Sequence, residues 1–234
     1  MLIQNLNKIT FIHGWLFGSY IWKNIQECFP NVSSSELVSL PGYRKSSSIE
    51  HARKVIDSIL GSSNKDDMII AYSYTAARVL LSSELNKCDA TIILINPFLK
   101  PKNSTITMLR DNLIEDFDNG IKKFIFESVK GNNLAKNNFL KLKNLFYTDY
   151  IPKKDSLIAE LDEMTDFDLS NFKGTFRENL VILLSDSDEV CDARIMNTFK
   201  HHKMKIVTLK NSPHYPFFDF KEICETIELL YQKS

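Results

Sequence analysis

The stretch IIAYSYTAARVLL, residues 69–81, decides the fold. It starts as an apolar run and continues with residues that favour helix, a pattern that predicts a strand, a sharp turn and a helix. Ser73 falls at the turn, where a nucleophile elbow would hold a serine hydroxyl above the carboxyl end of a sheet. A serine between a strand and a helix is more often a helix N-cap, so other parts of the chain must support a catalytic role.

The elbow motif normally reads G-x-S-x-G, but here it is Ala71-Tyr72-Ser73-Tyr74-Thr75. Glycine is usual at the first and last positions because the strand and the helix approach each other closely there. Ala71 adds only a methyl group, whereas Thr75 adds a branched side chain. Thr75 is therefore the residue that argues against a catalytic elbow.

Apolar runs separated by helix-length segments extend this pattern in both directions. Runs of this kind are typical of strands in a parallel sheet whose two faces are covered by helices, so the predicted fold class is α/β. The predicted strands lie at residues 9–12, 37–40, 68–72, 91–95, 180–184 and 205–209.

The strand-like runs stop in the middle of the chain, and a helical pattern replaces them. This predicts a helical insertion at residues 101–175 that separates the first part of the core, residues 1–100, from the second, residues 176–234. The apolar residues that recur near helical spacing are Leu109, Leu113, Phe117, Ile121 and Phe124.

Composition narrows the class of protein. With 234 residues, 44% of them apolar, the chain can bury a sizeable core. Lys+Arg and Asp+Glu balance at 29 each, which argues against a general binder of nucleic acid or other polyanions. No apolar run has the length of a membrane span, and the first residues do not read as a secretion signal. We therefore expect a cytoplasmic monomer without membrane or nucleic-acid contact.

The cysteines and histidines give no signal for a metal site. The four cysteines, at positions 28, 88, 191 and 224, lie far apart without a CxxC pair, which predicts reduced thiols and no disulfide framework. His201 and His202 are adjacent rather than on one helical face, and the GxGxxG and GxxxxGK fingerprints do not occur. We expect neither a metal nor a cofactor.

A His-Gly turn follows the first predicted strand in FIHGW, residues 11–15. Such a turn can aim the backbone N–H of Trp15 at a developing oxyanion, and the N–H of Tyr74 is the natural second donor. His13 itself is expected to stabilise the loop.

Carboxylates and a histidine follow the last two predicted strands. LLSDSDEV, residues 183–190, contains Asp186 and Asp188, and His214 follows in NSPHYPFF. A carboxylate can orient an imidazole that in turn activates a serine. Because these groups and Ser73 all lie at the carboxyl ends of strands, in the order Ser, Asp, His, the sequence predicts a hydrolase.

These motifs resemble the α/β-hydrolase superfamily and, within it, the pimeloyl-[acyl-carrier protein] methyl ester esterases of biotin synthesis. The similarity runs from HGWLFGSYIW through SLPGYRKS to SDSDEV and SPHYPF, nearly the whole chain. The resemblance implies an α/β-hydrolase fold, a triad of Ser73, Asp188 and His214, and a substrate pocket that includes Phe124. It favours Asp188 over Asp186 because Ser185 stands at the glycine of the family's G-x-x-D spacing.

The resemblance also implies a docking surface for the acyl carrier protein on the insertion, which would form a cap. Lys123 and Lys136 fall where the family uses arginines, whereas Asn119 and Leu140 fall where two more basic residues are expected. Glu189 replaces a frequent glycine. Little sequence precedes the first strand, so the sheet is expected to have a shortened N-terminal edge without two antiparallel strands.

The expected function is that of a serine carboxylesterase acting on a methyl ester carried by the acyl carrier protein. Another small-ester or thioester hydrolase would use the same catalytic residues. A menaquinone-pathway lyase shares the fold and a similar His-Gly loop. A non-catalytic binding protein could also have kept this fold, as the altered elbow would allow.

Overall fold

The computed structural model describes residues 6–43, 52–97, 103–131, 133–148, 151–167, 177–191, 199 and 204–231. Six strands form one sheet in the order β2-β1-β3-β4-β5-β6, and every neighbouring pair is parallel. Helices flank the sheet, so the predicted α/β class is confirmed. The strands are β1 (Lys8–Ile12), β2 (Ser34–Val38), β3 (Asp67–Tyr72), β4 (Thr91–Ile95), β5 (Leu180–Ser185) and β6 (Lys205–Leu209).

The six predicted strands match the observed ones except at β2. The prediction placed this strand at residues 37–40, but it begins at Ser34 and ends at Val38. Because β2 is an edge strand, its first three residues are exposed and polar and carry no hydrophobic signal. The described sheet contains no antiparallel strand, and β2 forms its edge beside β1.

The chain order places the ends of β1 and β3 side by side. From β1 the chain passes to β2 on one side and then returns to β3 on the other, so the connections diverge between β1 and β3. Ile12 pairs with Ala71, and Tyr72 pairs with Ile95 of β4. Sites in open parallel sheets form at this kind of switch point, outside the carboxyl ends of the strands.

Four of the helices whose bounds the structure describes belong to the parts of the chain that surround the sheet. Helix α2 buries Ala52, Ile56 and Leu60, which are four residues apart and therefore share one face. The helices are α1 (Lys23–Gln26), α2 (Ala52–Ser62), α3 (Tyr74–Leu81) and α8 (Phe220–Tyr231).

Four more described helices lie between β4 and β5, inside the predicted insertion; we call them the cap. They are α4 (Asn103–Glu115), α5 (Phe117–Val129), α6 (Ala135–Thr148) and α7 (Lys154–Met164). Of the predicted apolar series, Leu113 and Ile121 are buried, and Leu109, Phe117 and Phe124 pack half-buried against the core. The boundaries at residues 101 and 175 fall outside the described residues and stay a prediction.

A disulfide joins Cys28, just after α1, to Cys224 of α8, whose Cα atoms are 6.3 Å apart. The prediction of four reduced cysteines is therefore wrong for this pair. The two residues are 196 positions apart, so their contact arises from packing and leaves no spacing signal in the sequence. Cys88 and Cys191 are not in disulfides. Among the described helices, none combines the length and the apolar character needed to cross a lipid bilayer.

Candidate active site

Ser73 lies at the sharp turn between β3 and α3. Its backbone has a φ of 54° and a ψ of −115°, a left-handed region that a non-glycine residue rarely adopts. Ser73 is the N-cap residue of α3 by position, but its side chain makes no capping hydrogen bond. Its N–H instead donates to the carbonyl of Ile95, 2.8 Å away, which fixes the turn on β4. Because the Ser73 side chain does not cap α3, its hydroxyl is available for another partner.

Thr75 fits beneath the elbow without a glycine. Its side chain is completely buried, and its Oγ1 lies 3.2 Å from the carbonyl of Ile12 and 3.0 Å from that of Tyr72. The same oxygen accepts a hydrogen bond from the Tyr72 N–H at 3.3 Å. The hydroxyl therefore bonds the ends of β1 and β3 to each other, and the branched side chain occupies the close approach that glycine usually leaves empty.

The side chains of Ser73, His214 and Asp188 form one hydrogen-bonded relay. Ser73 Oγ lies 2.9 Å from His214 Nε2, and His214 Nδ1 lies 2.8 Å from Asp188 Oδ2. The Ser73 and His214 residues are only 6% and 0% exposed. With the Nδ1 proton donated to the carboxylate, Nε2 is free to accept the proton of the serine.

The pKa of Asp188 is lowered in this setting. Burial alone would raise it, but the charge and the hydrogen bond of His214 outweigh burial. The N–H groups of Cys191 and Val190 add hydrogen bonds to Oδ1 at 2.9 and 2.8 Å. Asp188 thus stays ionised and can stabilise a positive imidazolium.

Asp186, the other carboxylate predicted in this loop, has no hydrogen bond to His214. It is exposed, and its Oδ1 accepts hydrogen bonds from the Ser212 N–H at 3.3 Å and the Ser187 hydroxyl at 2.9 Å. Asp186 therefore ties together two loops at the carboxyl edge, whereas Asp188 contacts the imidazole.

Two side chains that the sequence did not single out hold the backbone of His214. The Tyr72 hydroxyl donates to the His214 carbonyl at 3.0 Å, and Asn96 Nδ2 donates to the same oxygen at 2.8 Å. Asn96 Oδ1 also accepts the Ser185 N–H at 2.8 Å. Asn96 has a φ of 48°, and asparagine directly after an apolar strand was a signal for such a turn, because it tolerates this conformation better than most residues.

The predicted oxyanion loop, residues 13–16, lies against the elbow. A Cβ on Gly14 would come 3.1 Å from Ser73 Cβ and 3.0 Å from the Tyr72 carbonyl. His13 holds the loop as expected: its Nε2 accepts the Leu40 N–H at 3.0 Å, and its Nδ1 lies 2.9 Å from the Gly14 carbonyl.

The two predicted oxyanion donors are Trp15 and Tyr74. Neither backbone N–H bonds to another residue in the part of the chain that the structure describes. Tyr74 is the first residue of α3, where a helix leaves its N–H groups without an intrahelical acceptor. Both donors are therefore available to a ligand.

Phe124 of α5 joins an aromatic cluster beside this loop. Its ring centroid is 4.8 Å from that of Trp15, edge to face, and 6.0 Å from that of Phe17. The Phe17 ring in turn packs against Tyr215, the neighbour of His214, at 5.2 Å. The residue predicted for the pocket is thus in contact with the loop that carries Trp15, a predicted oxyanion donor.

The predicted docking lysines lie on two helices of the cap. Lys123 of α5 is exposed, and its Nζ donates to Asn112 Oδ1 at 2.9 Å. Lys136 of α6 is also exposed, as are Asn119 and Leu140. All four residues are exposed, and none has a described hydrogen bond to Ser73, Asp188 or His214.

Asp188, Cys191 and His214 have donor atoms within 4.8 Å of one another, a spacing that could hold a metal ion. Two of those atoms are already paired in the relay. The expectation that the protein needs no metal stays a prediction.

A cavity of about 350 Å³ lies between α2, α3 and the end of α7, and no member of the relay lines it. Arg53, Asp57, Arg78 and Glu163 give it a mixed charge. The cavity therefore lies apart from the hydrogen-bonded relay, which holds the reactive groups of the candidate site.

Several proteins with similar sequences share one name. No family model matches the chain. The pimeloyl-[acyl-carrier protein] methyl ester esterase of Wigglesworthia glossinidia brevipalpis is 24% identical and aligns with 97% of this chain and 94% of its own length. The protein of the same name from Vibrio campbellii is 23% identical over 69% of this chain and 68% of its own length.

Solved structures agree on the fold. An esterase from Exiguobacterium antarcticum superimposes with a TM-score of 0.77 at 14% identity, over 97% of this chain and 92% of its own. A bromoperoxidase from Bacillus anthracis gives a TM-score of 0.76, also at 14% identity and with the same coverage. An alpha/beta hydrolase enzyme from a Medee basin deep-sea metagenome library gives 0.71 at 16% identity, over 100% of this chain and 92% of its own. The comparisons support an ester hydrolase: the chain has the α/β-hydrolase fold, and its sequence is similar to pimeloyl-[acyl-carrier protein] methyl ester esterases.

Proposed function

We propose that this protein is a serine carboxylesterase that hydrolyses a carboxylic methyl ester through an acyl-enzyme. The observation that carries the proposal is the relay in which Ser73 Oγ is 2.9 Å from His214 Nε2 and His214 Nδ1 is 2.8 Å from Asp188 Oδ2. These distances are those of proton transfer between a nucleophile, a general base and the carboxylate that orients the base.

In the first half-reaction, His214 takes the proton of Ser73 as the serine oxygen attacks the ester carbonyl. Asp188 holds the imidazole in the tautomer with a proton on Nδ1 and stabilises its positive form. The N–H groups of Trp15 and Tyr74 would bind the oxyanion, and each such donor contributes about 3 kcal/mol to transition-state stabilisation.

Collapse of the tetrahedral intermediate expels methanol, which takes its proton from His214. Water then attacks the acyl-enzyme with His214 again as the base and releases the free acid. Phe124, half-buried where it packs on Trp15 and Phe17, would offer an apolar contact to the acyl chain beside the oxyanion loop.

For the physiological substrate we propose the methyl ester of a pimeloyl group carried by the acyl carrier protein, as the names of the sequence relatives suggest. Residues 119–154 contain eight lysines and two acids in a chain without net charge. Lys123 and Lys136 are exposed in this segment, and apolar Phe126, Leu134 and Leu140 are exposed beside them. A basic surface with apolar contacts suits an acidic carrier, whose approach it would accelerate at low salt.

Ser73→Ala tests the chemistry. We expect it to abolish turnover of a short p-nitrophenyl ester and covalent labelling by a fluorophosphonate, with an unchanged melting temperature. Ser63→Ala is the matched control, because Ser63 precedes β3 and so lies near the amino end of that strand, whereas Ser73 follows its carboxyl end. Normal activity of the Ser73→Ala variant would refute the proposed function.

Charge reversal tests the substrate class. Lys123→Glu together with Lys136→Glu is expected to raise KM about tenfold for a carrier-bound ester and to leave KM for a soluble methyl ester unchanged. Lys65→Glu is the control, since Lys65 is exposed at the amino end of β3. Equal effects on the KM of both substrates would contradict the proposed docking surface.

Complementation of a biotin-requiring bacterium that lacks its methyl ester esterase tests the substrate itself. Failure of the wild-type protein to complement would argue for a different ester.

A further inference from the structure

The oxyanion loop contains a strained residue of its own. Leu16 directly follows Trp15 and has a φ of 70°, a conformation that a leucine side chain disfavours. Leu16 is completely buried, so the surrounding structure must hold this backbone in place. The question is which groups do so.

A tyrosine and a glutamate from distant parts of the chain hold the backbone of Leu16 in place. The Leu16 N–H donates to the hydroxyl oxygen of Tyr43 at 2.9 Å, and the Tyr43 hydroxyl donates to Glu160 Oε2 at 2.9 Å. Because a hydroxyl has one proton, donation to Glu160 leaves a lone pair directed at Leu16. Tyr43 is 4% exposed and Glu160 is 8% exposed, so little water competes for these bonds.

Helix α7 of the cap, which carries Glu160, contacts the same loop at a second point. The indole Nε1 of Trp15 donates to the Leu157 carbonyl at 3.0 Å, three residues before Glu160 on this helix. A Cβ on Gly42, the residue before Tyr43, would clash with Ser156 Oγ, so the chain before Tyr43 lies directly against α7. Tyr43 therefore bridges the oxyanion loop and α7.

The placement of Glu160 is unfavourable for stability alone. Burial raises its pKa to about 8, and Tyr43 and Arg78 only partly offset that effect. Burial raises the pKa of Tyr74, the other proposed oxyanion residue, and the charge of Glu160 raises it further. A buried carboxyl group costs folding free energy, so a role in orienting its neighbours accounts for it better than packing does.

We propose that Tyr43 and Glu160 are positioning residues that act through Leu16 to hold the Trp15 N–H in the geometry of the oxyanion hole, and so couple the cap helix α7 to catalysis. This rests on the proposed esterase function. The pair touches neither the nucleophile nor the ester; its effect is exerted on a loop whose donor acts in the transition state.

Tyr43→Phe removes only the hydroxyl that holds Leu16. We expect kcat for a p-nitrophenyl ester to fall about tenfold while KM changes less than twofold, as for an interaction made only in the transition state. Inhibition by an alkyl trifluoromethyl ketone, whose adduct with serine carries the oxyanion, is expected to weaken by the same factor as kcat. Tyr147→Phe is the matched control: its hydroxyl also donates to a carboxylate, Asp118, but within the cap. Its kinetics are expected to equal those of the wild type.

Two variants of Glu160 separate positioning from stability. Glu160→Gln keeps an acceptor for the Tyr43 hydroxyl and is expected to retain most of kcat, whereas Glu160→Met, of similar length without an acceptor, is expected to match Tyr43→Phe. These variants also serve if Tyr43→Phe does not fold. A lower melting temperature with unchanged kcat and inhibitor affinity in Tyr43→Phe or Glu160→Met would overturn the proposal. Activity of Ser73→Ala would instead overturn the esterase on which it rests.

Discussion

The carboxyl edge of the sheet, where the carboxyl ends of its strands meet, differs from the solvent face of the cap in backbone strain and in the burial of polar groups. Four non-glycine residues of the described chain have a positive φ, and each follows a different strand: Leu16 after β1, Ser73 after β3, Asn96 after β4 and Asn211 after β6. Within the described cap, only Gly131 has a positive φ. Backbone strain is thus concentrated where the candidate site lies, which is typical of functional sites.

Polar groups differ between the two regions in the same way. At the edge, Asn96 is 1% exposed and bonds to Ser185 and His214. On the cap, Lys122 pairs with Asp118, but both side chains are about half exposed, and such pairs contribute little. Substitutions at the edge are therefore expected to cost far more than substitutions on the cap surface.

Asp188→Asn is expected to have the largest effect at the edge. The amide would lose the charge that stabilises the imidazolium and would favour the wrong tautomer of His214, so we expect kcat to fall about 10⁴-fold. Single-turnover kinetics with a p-nitrophenyl ester would measure this loss.

Asp186→Asn is the matched control, two residues away in the same loop. Asp186 accepts hydrogen bonds from Ser212 and Ser187, and asparagine can accept both. We expect less than a threefold change in kcat. A comparable loss in both variants would mean that the loop as a whole, and not Asp188, supports the reaction.

Gly14→Ala is expected to have the next largest effect. The added methyl would come 2.9 Å from Tyr72 Cδ1 and 3.0 Å from the Tyr72 carbonyl, so the oxyanion loop must shift away from Ser73. We expect kcat to fall about 100-fold, the effect of losing one oxyanion donor.

Gly61→Ala makes the same change in α2, where the nearest atom to the new methyl, Glu84 Oε2, is 3.9 Å away. Since alanine favours helix, this variant is expected to gain about 0.5–1 kcal/mol of stability and to keep its kcat. Urea denaturation and steady-state kinetics on both variants would test the contrast, and full activity of Gly14→Ala would show that the loop does not abut the nucleophile.

The fold was predictable because burial leaves a direct mark on the sequence. β3 and β5 are buried along their whole length, and their apolar runs identified them. The predicted position of β2 was wrong because its exposed residues Ser34, Ser35 and Glu36 have no apolar pattern. The disulfide between Cys28 and Cys224 was missed because it depends on the packing of α1 on α8, which no local pattern encodes.

The site was predictable only in part, for the same reason. Ser73, Asp188 and His214 each follow a strand, and the carboxyl ends of parallel strands meet at one edge, so their order along the chain was informative. Asn96, Tyr43 and Glu160 act through partners up to 118 residues away, and their roles depend on distances that the sequence does not contain. The doubt over Thr75 also needed the structure, which gives its hydroxyl carbonyl partners on two strands.

Glu160→Gln extends the comparison to the inner face of the cap, where a titratable group is buried. In the unfolded chain this carboxyl ionises near its ordinary pKa of 4.5, but in the folded protein it keeps its proton up to about pH 8. The folded wild type therefore loses stability as the pH rises from about 4.5 to 8, whereas the glutamine variant has no such loss.

The variant is thus expected to gain on the wild type with rising pH, by on the order of 3 kcal/mol between pH 5 and pH 8. Urea denaturation at several pH values would measure the unfolding free energy of both proteins. Subtracting the wild-type value from that of the variant removes the contribution of the titrating groups that the two proteins share. Asp118→Asn, on the outer face of the cap, is the control and is expected to show little change over this range. Parallel curves for Glu160→Gln and the wild type would contradict the buried position of Glu160.

Thr75→Val is expected to have the smallest effect at the edge and bears directly on the elbow without glycine. Valine has nearly the same shape, but it leaves the Ile12 carbonyl and the Tyr72 N–H without the Thr75 hydroxyl. We expect a loss of about 1–2 kcal/mol of unfolding free energy, the usual cost of a buried polar group without its partner. Thr148→Val is the matched control, since the Thr148 hydroxyl bonds the Leu145 carbonyl at the exposed end of α6. An equally small loss of unfolding free energy in both variants would show that the Thr75 hydroxyl does not stabilise the elbow. The backbone hydrogen bond from Ser73 to Ile95 would then hold the turn without it.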